Sequence, residues 1–313
     1  MGQISLHAVT RDQGAVRALK DGSIQPEGFT LEFEEVPVLI HAFRRMVREL
    51  AYDVTEMAFT TYLAARAHGK PFTALPVFLV RDFHHSAIRT PVSSTVVPRG
   101  LEGQRVGVNR GYTVTTGVWA RGILADQYGV DLGSVTWVLS GDEHVAEYVP
   151  PPNVVPVPDG KDVPAMVASG ELAAGIGVPA SPENKTLIPD AEEAGYRALR
   201  ERGFYPINHL VVVRDELLAE HPDLAPSLFA AYAESKRRYV DALAQGTITD
   251  PGPNERRYQR VAEITGADPM PYGIGPNQAM IDQLITYAVD QKILDHPVTA
   301  QDIFAPGTHD LTA

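Results

Sequence analysis

Segments typical of strands and segments typical of helices alternate along this chain, and no other feature constrains its fold as strongly. A strand is predicted for ISLHAV, near the amino terminus, and a helix that ends near Gly22 for GAVRALKDG. Another strand is predicted for LEFEEVPV, which starts at Leu31. A helix over His41 to Leu50, a buried strand DVTEMAF from Asp53 and a helix TYLAARAHG that Thr60 can cap follow. This order predicts an α/β sheet with helices packed on it.

The same alternation starts again after residue 101, which predicts a second α/β unit. LEGQRVGV is followed by the helix TTGVWARGILADQYG, the strand SVTWVLS, the Pro-rich loop YVPPPNVVPVPDG, the helix VPAMVASGE and the strand LAAGIGV. INHLVVVR, from Ile207, is predicted to return to the first unit, followed by helices over Ala225 to Leu243 and Asn277 to Lys292. The sheet of the first unit is therefore expected to be completed late in the chain.

Two lobes follow from this pattern and from the length, because 313 residues exceed the size at which one core keeps growing. We expect residues 1–88 and 206–313 to form a discontinuous first lobe and residues 89–205 to be inserted as the second, an arrangement typical of hinged solute-binding proteins. Each lobe is predicted to be a mixed sheet flanked by helices. Ligands bind at the carboxyl ends of parallel strands in such folds, which predicts an interlobe site.

Composition excludes several classes of partner. The 27 basic and 39 acidic residues give a net charge of −12 without a basic stripe, so we expect no nucleic-acid partner. The chain has no Cys, which excludes disulfides and thiolate chemistry. Its apolar runs fall short of the ~20 residues that span a membrane, and its first residues do not read as a secretory signal, so a cytoplasmic location is expected. The composition does not decide whether the chain forms a homo-oligomer.

The segment YDVTEMAFTTYLAARAHGKPFTALPVFLVRDFHHSAI resembles the 4,5-dihydroxyphthalate decarboxylase family. Later blocks share the resemblance in collinear order, from GQRVGV and YTVTTGVWARGIL through WVLSGDEHVAEYVPPPNV and FYPINHLVVVRDELL to DPMPYGIGPNQAMIDQLITYAVDQKIL. The resemblance implies a two-lobed periplasmic-binding-protein-like fold (type II) and nonoxidative loss of a carboxylate from a hydroxylated aromatic acid. It implies no organic cofactor. The chain reads Arg81-Asp82-Phe83-His84-His85 where the family has Arg-x-Phe-Arg-His.

Decarboxylation of this kind needs an anion clamp, a general acid and a group that stabilises the phenolate. Arg81 is the first candidate for the clamp, because a guanidinium matches a carboxylate with two hydrogen bonds, and Arg110 is the second. For each of them the alternative is an ordinary ion pair. His85 is the first candidate for the acid, since imidazole titrates near neutral pH, and a hydrogen-bonded structural histidine is its alternative.

Other candidates complete the site. Glu56 lies in a strand predicted to be buried, where a carboxylate needs a partner, so it is either a base toward a phenol or the partner of an Arg. His209, on the returning strand, can assist. Further residues that can contact an organic carboxylate from the loops at the strand ends are Arg11, Thr60, Thr61, His84, Tyr112, Thr113 and Thr115. Arg121 is expected to be structural.

A metal site is a weaker alternative to the cofactor-free interpretation. Glu143, His144 and Glu147 are close in sequence, and the last two would share one face of a helix if this stretch were helical. A solvated charged turn is the more common meaning of such a run, so no metal is expected.

Three functions fit the pattern. The first is a cytosolic, cofactor-independent decarboxylase of an aromatic carboxylate that carries a ring hydroxyl. The second is a noncatalytic solute-binding protein for a small organic anion, and the third an enzyme of the same two-lobed class similar to those of late menaquinone biosynthesis. The fold cannot decide among them, because function lies in the site.

Overall fold

The computed structural model describes residues 4–313. The strands within this range are β1 Ile4–Val9, β2 Phe29–Phe33, β3 Val54–Ala58, β4 Phe72–Arg81, β5 Ile88–Pro91, β6 Arg105–Val108, β7 Thr136–Leu139, β8 Val154–Pro156, β9 Ala174–Ile176, β10 Asn184–Thr186 and β11 Ile207–Arg214. The helices are α1 Arg17–Lys20, α2 Leu39–Glu49, α3 Phe59–Ala67, α4 Thr115–Tyr128, α5 Val163–Ala168, α6 Ala191–Arg202, α7 Asp215–Glu220, α8 Leu224–Ala244, α9 Pro253–Thr265, α10 Gln278–Asp290 and α11 Ala300–Ile303.

The described chain divides into two compact units. The first comprises the chain up to Arg81 with Ile207–Asp282 and Val298–Ala313, and the second comprises Asp82–Pro206 with Gln283–Pro297. The first boundary therefore lies at Arg81, whereas the sequence suggested 88. Phe83 accounts for the difference, because its ring packs against aromatic rings of the second unit. The later segment joins that unit through Tyr287, whose ring centroid lies 5.6 Å from that of Trp119.

The sheet of the first unit has the strand order β2-β1-β3-β11-β4. β1 is parallel to β2 and to β3, whereas β11 is antiparallel to both β3 and β4. Pro76 interrupts the ladder between β4 and β11, since Leu210 pairs with Phe78 and Val211 with Leu75. Proline has no backbone N–H to donate to a ladder, which explains a bulge at this point.

The second unit has a mixed sheet of its own, in the order β10-β5-β9-β6-β7-β8. β6 is parallel to β7 and to β9, and β7 is parallel to β8. β5 is antiparallel to its neighbours β9 and β10. The carboxyl ends of the parallel strands β6, β7 and β9 therefore lie at one edge of this sheet.

Apolar side chains from the helices complete the core of each unit. In α2 the buried residues Ala42, Phe43, Met46 and Val47 recur at helical spacing, so this helix presents one apolar face to the sheet. In α4, Gly122 contacts the ring of Tyr287 so closely that a Cβ atom would lie 2.1 Å from ring carbon Cδ2. Glycine is therefore required for this packing.

Most of the predicted elements are present, with local differences. The sequence did not indicate β8, β10, α6, α7, α9 or α11. Thr60 does not cap α3, because the helix begins at Phe59 and Ala58 occupies the N-cap. Residues 141–149 form bends and turns, so His144 and Glu147 do not share a helical face. His85 begins a 3-10 turn, His85–Ala87.

In the part of the chain that the structure describes, no helix combines the length and the apolar character needed to span a bilayer.

Candidate functional site

The carboxyl edge of the first sheet collects several of the predicted site residues. β1 and β3 are parallel, and β11 runs antiparallel between β3 and β4, so β1, β3 and β4 all end at this edge and β11 begins there. Arg11 follows β1, Glu56 and His209 lie on β3 and β11, and Arg81 ends β4. The topology therefore assembles residues that are far apart in sequence.

Glu56 is the centre of a buried polar cluster. Its side chain has 0% exposure and is held by donors from two other elements. Thr10 donates its hydroxyl to Oε2 at 2.7 Å, and the backbone N–H of Arg11 donates to the same oxygen at 3.0 Å. Nε of Arg11 donates to Oε1 at 2.7 Å, and Nδ1 of His209 lies 2.6 Å from Oε1. Both carboxylate oxygens are thus satisfied.

These contacts determine the charge of Glu56. Burial by itself raises the pKa of a carboxyl group, but the hydrogen bond from His209, the charges of Arg11 and His209 and the hydroxyl of Thr10 outweigh it and lower the pKa of Glu56 to about 2. Glu56 is therefore a carboxylate at neutral pH. The same negative charge adds to burial in raising the pKa of the Tyr232 hydroxyl, so this phenol stays protonated.

The charge of Glu56 also decides the tautomer of His209. An ionised carboxylate can only accept, so Nδ1 carries a hydrogen and donates it to Glu56. Nη2 of Arg11 lies 2.9 Å from Nδ1, beside the bond to Glu56, and cannot donate to a nitrogen that is itself a donor. The ring of Phe43 packs edge-on against the imidazole at 5.2 Å. His209 can therefore exchange a proton with a ligand only at Nε2.

Arg11 is the most exposed member of this cluster. Its side chain is 38% exposed, compared with 15% for His209 and 0% for Glu56. The sequence named all three as candidates, and the structure brings them together. The bond from Thr10 to Glu56 was not predicted, because a threonine after a strand carries no signal for a bond to a residue 46 positions away.

Thr60 and Thr61 lie in the first turn of α3, directly after β3, and both are fully buried. Their position beside the carboxyl edge agrees with the loop expected from the sequence. Neither side chain caps the helix.

Arg81 is buried at the end of β4, with 2% exposure. Its Nη2 donates to Oδ1 of Asn277, with a longer contact of 3.4 Å to the carbonyl oxygen of Pro271. The guanidinium carbon lies 5.7 Å from the ring centroid of Phe78. Both of these acceptors are neutral. Its role as a carboxylate clamp stays a prediction.

His84 and His85 are both buried. Nε2 of His85 lies 2.8 Å from Oε1 of Gln127, and its Nδ1 has no hydrogen-bond partner among the described residues. Burial lowers the pKa of His85 and outweighs the hydrogen bond to Gln127, so the neutral imidazole is favoured at pH 7. A neutral imidazole is a weaker acid than the imidazolium. The acid role of His85 stays a prediction with less physical support than that of His209.

In the second unit, the loop between β6 and α4 is organised around Glu143. Its carboxylate accepts from the backbone N–H of Tyr112, and from the N–H and hydroxyl of Thr113 at 3.1 and 2.6 Å. Arg110 has a φ of 80°, a conformation that non-glycine residues rarely adopt, and its N–H donates to Oγ of Ser140 at 2.7 Å. The loop is thus fixed by bonds to the segment after β7.

Tyr112, Thr113 and Thr115 were predicted to contact the ligand. The first two are buried in this loop, and Thr115 is buried at the first position of α4. Val114 occupies the N-cap of α4, so none of these threonines caps the helix. Among the described residues no group of three or more His, Asp or Glu side chains could hold a metal ion. The oxygens of Glu143, considered above together with His144 as a metal ligand, bind the loop instead.

Comparison with solved structures shows the fold. The periplasmic sulfonate-binding protein SsuA of Methylobacillus flagellatus is 13% identical, with a TM-score of 0.54 over 98% of this chain and 93% of that one. SsuA of Escherichia coli is 9% identical, with a TM-score of 0.52 over 99% and 100%. A mutant of the enzyme DSZB bound to biphenyl-2-sulfinic acid is 14% identical, with a TM-score of 0.53 over 98% of each chain. The predicted periplasmic-binding-protein-like α/β fold is confirmed.

Comparison with curated proteins gives the family. No protein-family model matches the chain. A protein of Comamonas testosteroni named 4,5-dihydroxyphthalate decarboxylase is 27% identical over 330 aligned positions, covering 98% of each chain. One of the same name from Pseudomonas putida is 31% identical over 190 positions, covering 56% of this chain and 71% of that protein. The family suggested by the sequence blocks is therefore confirmed, and the chain belongs to the 4,5-dihydroxyphthalate decarboxylase family.

Proposed function

We propose that this protein is a carboxy-lyase that removes carbon dioxide from a hydroxylated aromatic carboxylate similar to 4,5-dihydroxyphthalate, without an organic cofactor. The observation that carries the proposal is the contact between His209 and the buried, ionised Glu56, with Arg11 beside them. The names of the two curated relatives support the substrate class.

The reaction can be written with balanced atoms and electrons. A ring hydroxyl para to the carboxylate, as phenolate, pushes a π pair toward the ring carbon that bears the carboxylate. That pair forms a bond to an incoming proton, which leaves an sp3 carbon in a dienone. The bond to the carboxylate carbon then breaks, its electron pair restores the aromatic ring and the phenolate, and carbon dioxide leaves. One proton replaces one carboxylate.

His209 is the proposed proton donor. Because Nδ1 is occupied by Glu56, proton transfer takes place through Nε2, and the adjacent carboxylate stabilises the imidazolium before the proton is given up. The buried position of Glu56 strengthens this interaction, since few water molecules screen it. His209 thus combines a fixed tautomer with a charge partner, the two properties expected of a general acid.

Arg11 is the proposed anchor for the substrate. Of its side-chain donors, only Nε bonds to Glu56, and more than a third of the side chain is exposed. A guanidinium fixed in this way presents further N–H donors to a carboxylate, which it binds through two parallel hydrogen bonds. Arg11 also keeps Glu56 ionised, so the anchor and the acid share one cluster.

The test is to incubate the purified protein with 4,5-dihydroxyphthalate and related hydroxybenzoates, and to follow loss of carbon dioxide by mass spectrometry. In D2O the product should carry one deuterium on the carbon that lost the carboxylate. Saturable binding of these acids without release of carbon dioxide would contradict the proposal and favour a noncatalytic binding protein. Release of carbon dioxide with no deuterium in the ring of the product would contradict the ring-protonation step, but not the decarboxylation itself.

A further inference from the structure

The anchor and the proton donor of the proposed site are in direct contact. Nη2 of Arg11 lies 2.9 Å from Nδ1 of His209, and a single carbon separates Nδ1 from Nε2 in the imidazole ring. A carboxylate that binds a guanidinium nitrogen does so at ~2.7–2.9 Å. The nearer oxygen of a carboxylate on Nη2 therefore lies within about 6 Å of Nδ1, beside the ring that delivers the proton.

Glu56 fixes the guanidinium of Arg11 in this position. Nε of Arg11 donates to Oε1 at 2.7 Å and the backbone N–H of Arg11 donates to Oε2 at 3.0 Å, so side chain and main chain are both tied to one buried carboxylate. Of the guanidinium nitrogens, Nε is the one bonded to Glu56, and the Arg11 side chain is 38% exposed. An incoming carboxylate therefore meets the edge formed by Nη1 and Nη2, next to His209.

This contact limits which carboxylate of a substrate Arg11 can hold. The proton on Nε2 of His209 must reach the ring carbon that carries the leaving carboxylate, and reacting atoms approach to ~3–3.5 Å before reaction. Because Arg11 and His209 touch, the carboxylate on Arg11 is attached either to that carbon or to a carbon next to it. In a substrate similar to 4,5-dihydroxyphthalate the two carboxylates are on neighbouring carbons. Arg11 therefore holds either the one that leaves or the one that stays.

The movement of charge during the reaction decides between these two. The leaving carboxylate loses its negative charge as it becomes carbon dioxide, so a guanidinium bound to it stabilises the starting state more than the transition state. Such an interaction slows the chemical step. The carboxylate that stays keeps its charge throughout, so its bonds to Arg11 hold the ring in place beside His209 without raising the barrier.

We propose that Arg11 holds the carboxylate that the reaction leaves in place, and so presents the neighbouring ring carbon to Nε2 of His209. This inference rests on the proposed decarboxylation and adds which of two carboxylates is removed. It makes Arg11 the residue that selects acids with carboxylates on adjacent carbons. Loss of one carboxylate from 4,5-dihydroxyphthalate leaves 3,4-dihydroxybenzoate. Its carboxylate is still para to a hydroxyl, but it should resist a second decarboxylation because no other carboxylate remains for Arg11 to hold.

The first test compares 4,5-dihydroxyphthalate with its monomethyl ester, which has one carboxylate to lose but offers Arg11 a neutral ester. The quantity compared is kcat/KM, because unproductive binding of the ester lowers kcat and KM alike. We expect the diacid to be preferred about 10- to 100-fold, as for the loss of hydrogen bonds to a charged group. 3,4-Dihydroxybenzoate should lose at least as much. Equal kcat/KM values for the diacid and either of the other two acids would overturn the proposal.

Substitution of Arg11 shows whether it is the origin of this preference. Arg11→Gln also disturbs Glu56 and His209, but that damage affects both substrates equally, so the ratio of their kcat/KM values is the readout. The ratio should fall close to 1 in Arg11→Gln, and Arg11→Lys, which keeps the charge without the fork, should retain part of it. Arg17→Gln is the matched control, because Arg17 is an exposed arginine of α1 in the same unit. An unchanged ratio in Arg11→Gln would overturn the proposal.

Phthalate tests the anchor without the reaction, because it has two carboxylates but no ring hydroxyl to drive decarboxylation. By calorimetry, Arg11→Gln should raise its Kd about 10- to 100-fold and Arg17→Gln should not. An unchanged Kd in Arg11→Gln would overturn the proposal. If Arg11→Gln does not fold, Arg11→Lys and the wild-type comparison of diacid with ester still decide. Failure of the proposed reaction is recognised separately, since no acid then releases carbon dioxide while the phthalate comparison still reports on Arg11.

Discussion

Nδ1 of His209 lies 2.6 Å from Oε1 of Glu56, a carboxylate with no exposed surface, although the two residues are separated by 153 positions in the chain. The contact exists because β11 inserts beside β3, with His209 paired to Ala58 and Val211 paired to Glu56. A buried carboxylate without such a partner would be strongly destabilising. The pair is therefore important for stability as well as for the proposed chemistry.

The first prediction concerns acid sensitivity. Because the pKa of Glu56 is lowered from 4.5 to about 2, its carboxylate stabilises the folded state fully above pH 4.5, and this contribution is lost as the pH falls through 2. The loss should amount to roughly 3 kcal/mol. Glu56→Gln should be less stable than the wild type at pH 7 and lose less stability between pH 5 and 2. Urea unfolding at pH 7 and at intervals from pH 5 to 2 measures both the stability at neutral pH and its loss in acid.

A control variant for Glu56→Gln is Glu263→Gln, which alters an exposed carboxylate paired with Arg260. Exposed pairs contribute only ~0–1 kcal/mol. If both variants lost as much unfolding free energy between pH 5 and 2 as the wild type does, the hydrogen bonds around Glu56 would not control its ionisation.

The second prediction concerns His209. His209→Gln can still donate to Glu56 but cannot transfer a proton, so turnover should fall about 10² to 10⁴-fold. The Kd for phthalate should change much less, because proton delivery matters mainly in the transition state. Single-turnover rates and calorimetry separate the two quantities. His221→Gln is the matched histidine control in the same unit, and an equal loss of affinity and rate in His209→Gln would make His209 a binding residue.

The third prediction distinguishes His85 from His209. Burial lowers the pKa of His85, so protonation opposes folding, and stability should decline as the pH falls below the unfolded value near 6.5. His85→Gln should weaken this decline in thermal unfolding scans between pH 7 and 5. Turnover should stay near that of the wild type. A fall in turnover as large as that of His209→Gln would restore His85 as the acid.

The fourth prediction concerns Arg81. Arg81→Met leaves Oδ1 of Asn277 without its guanidinium donor, which should cost about 1–3 kcal/mol of unfolding free energy. If Arg81 is also the carboxylate clamp predicted from the sequence, the same variant should weaken phthalate binding by about 1.5–3 kcal/mol. Denaturant unfolding and calorimetry give the two values. Lower stability with unchanged affinity would make Arg81 structural.

The fifth prediction concerns packing in the second unit. Gly122→Ala forces a methyl group into the ring of Tyr287, which packs on Trp119, so the variant should lose about 1–3 kcal/mol or more of stability. Gly275→Ala is the control, because a Cβ atom there has no neighbour within 4 Å. Similar unfolding midpoints for the two variants would show that the ring can move away from Gly122.

Periodicity predicted the strands and helices with strong patterns, and β11 was correctly assigned to the first sheet because INHLVVVR follows the second series of elements. Short or polar elements gave no comparable signal, among them β10, which has only three residues, and α9, in which only Tyr258 and Val261 are buried. Arg11, Glu56 and His209 were each identified by residue type. The contact among these three residues was not predicted, because it depends on the order of the strands in the sheet. Local sequence patterns do not encode that order.

The position of β11 has a consequence for synthesis on the ribosome. β3 and β4 do not pair with each other, so when the first 81 residues have emerged, each still lacks its neighbour, and Glu56 lacks His209. Residues 82–206, which supply most of the second unit, are translated before that neighbour. The nascent chain therefore carries two unpaired strand edges, and a Glu56 carboxylate that lacks one of its donors, through more than a hundred further residues. This state exposes it to aggregation and to chaperones until β11 emerges.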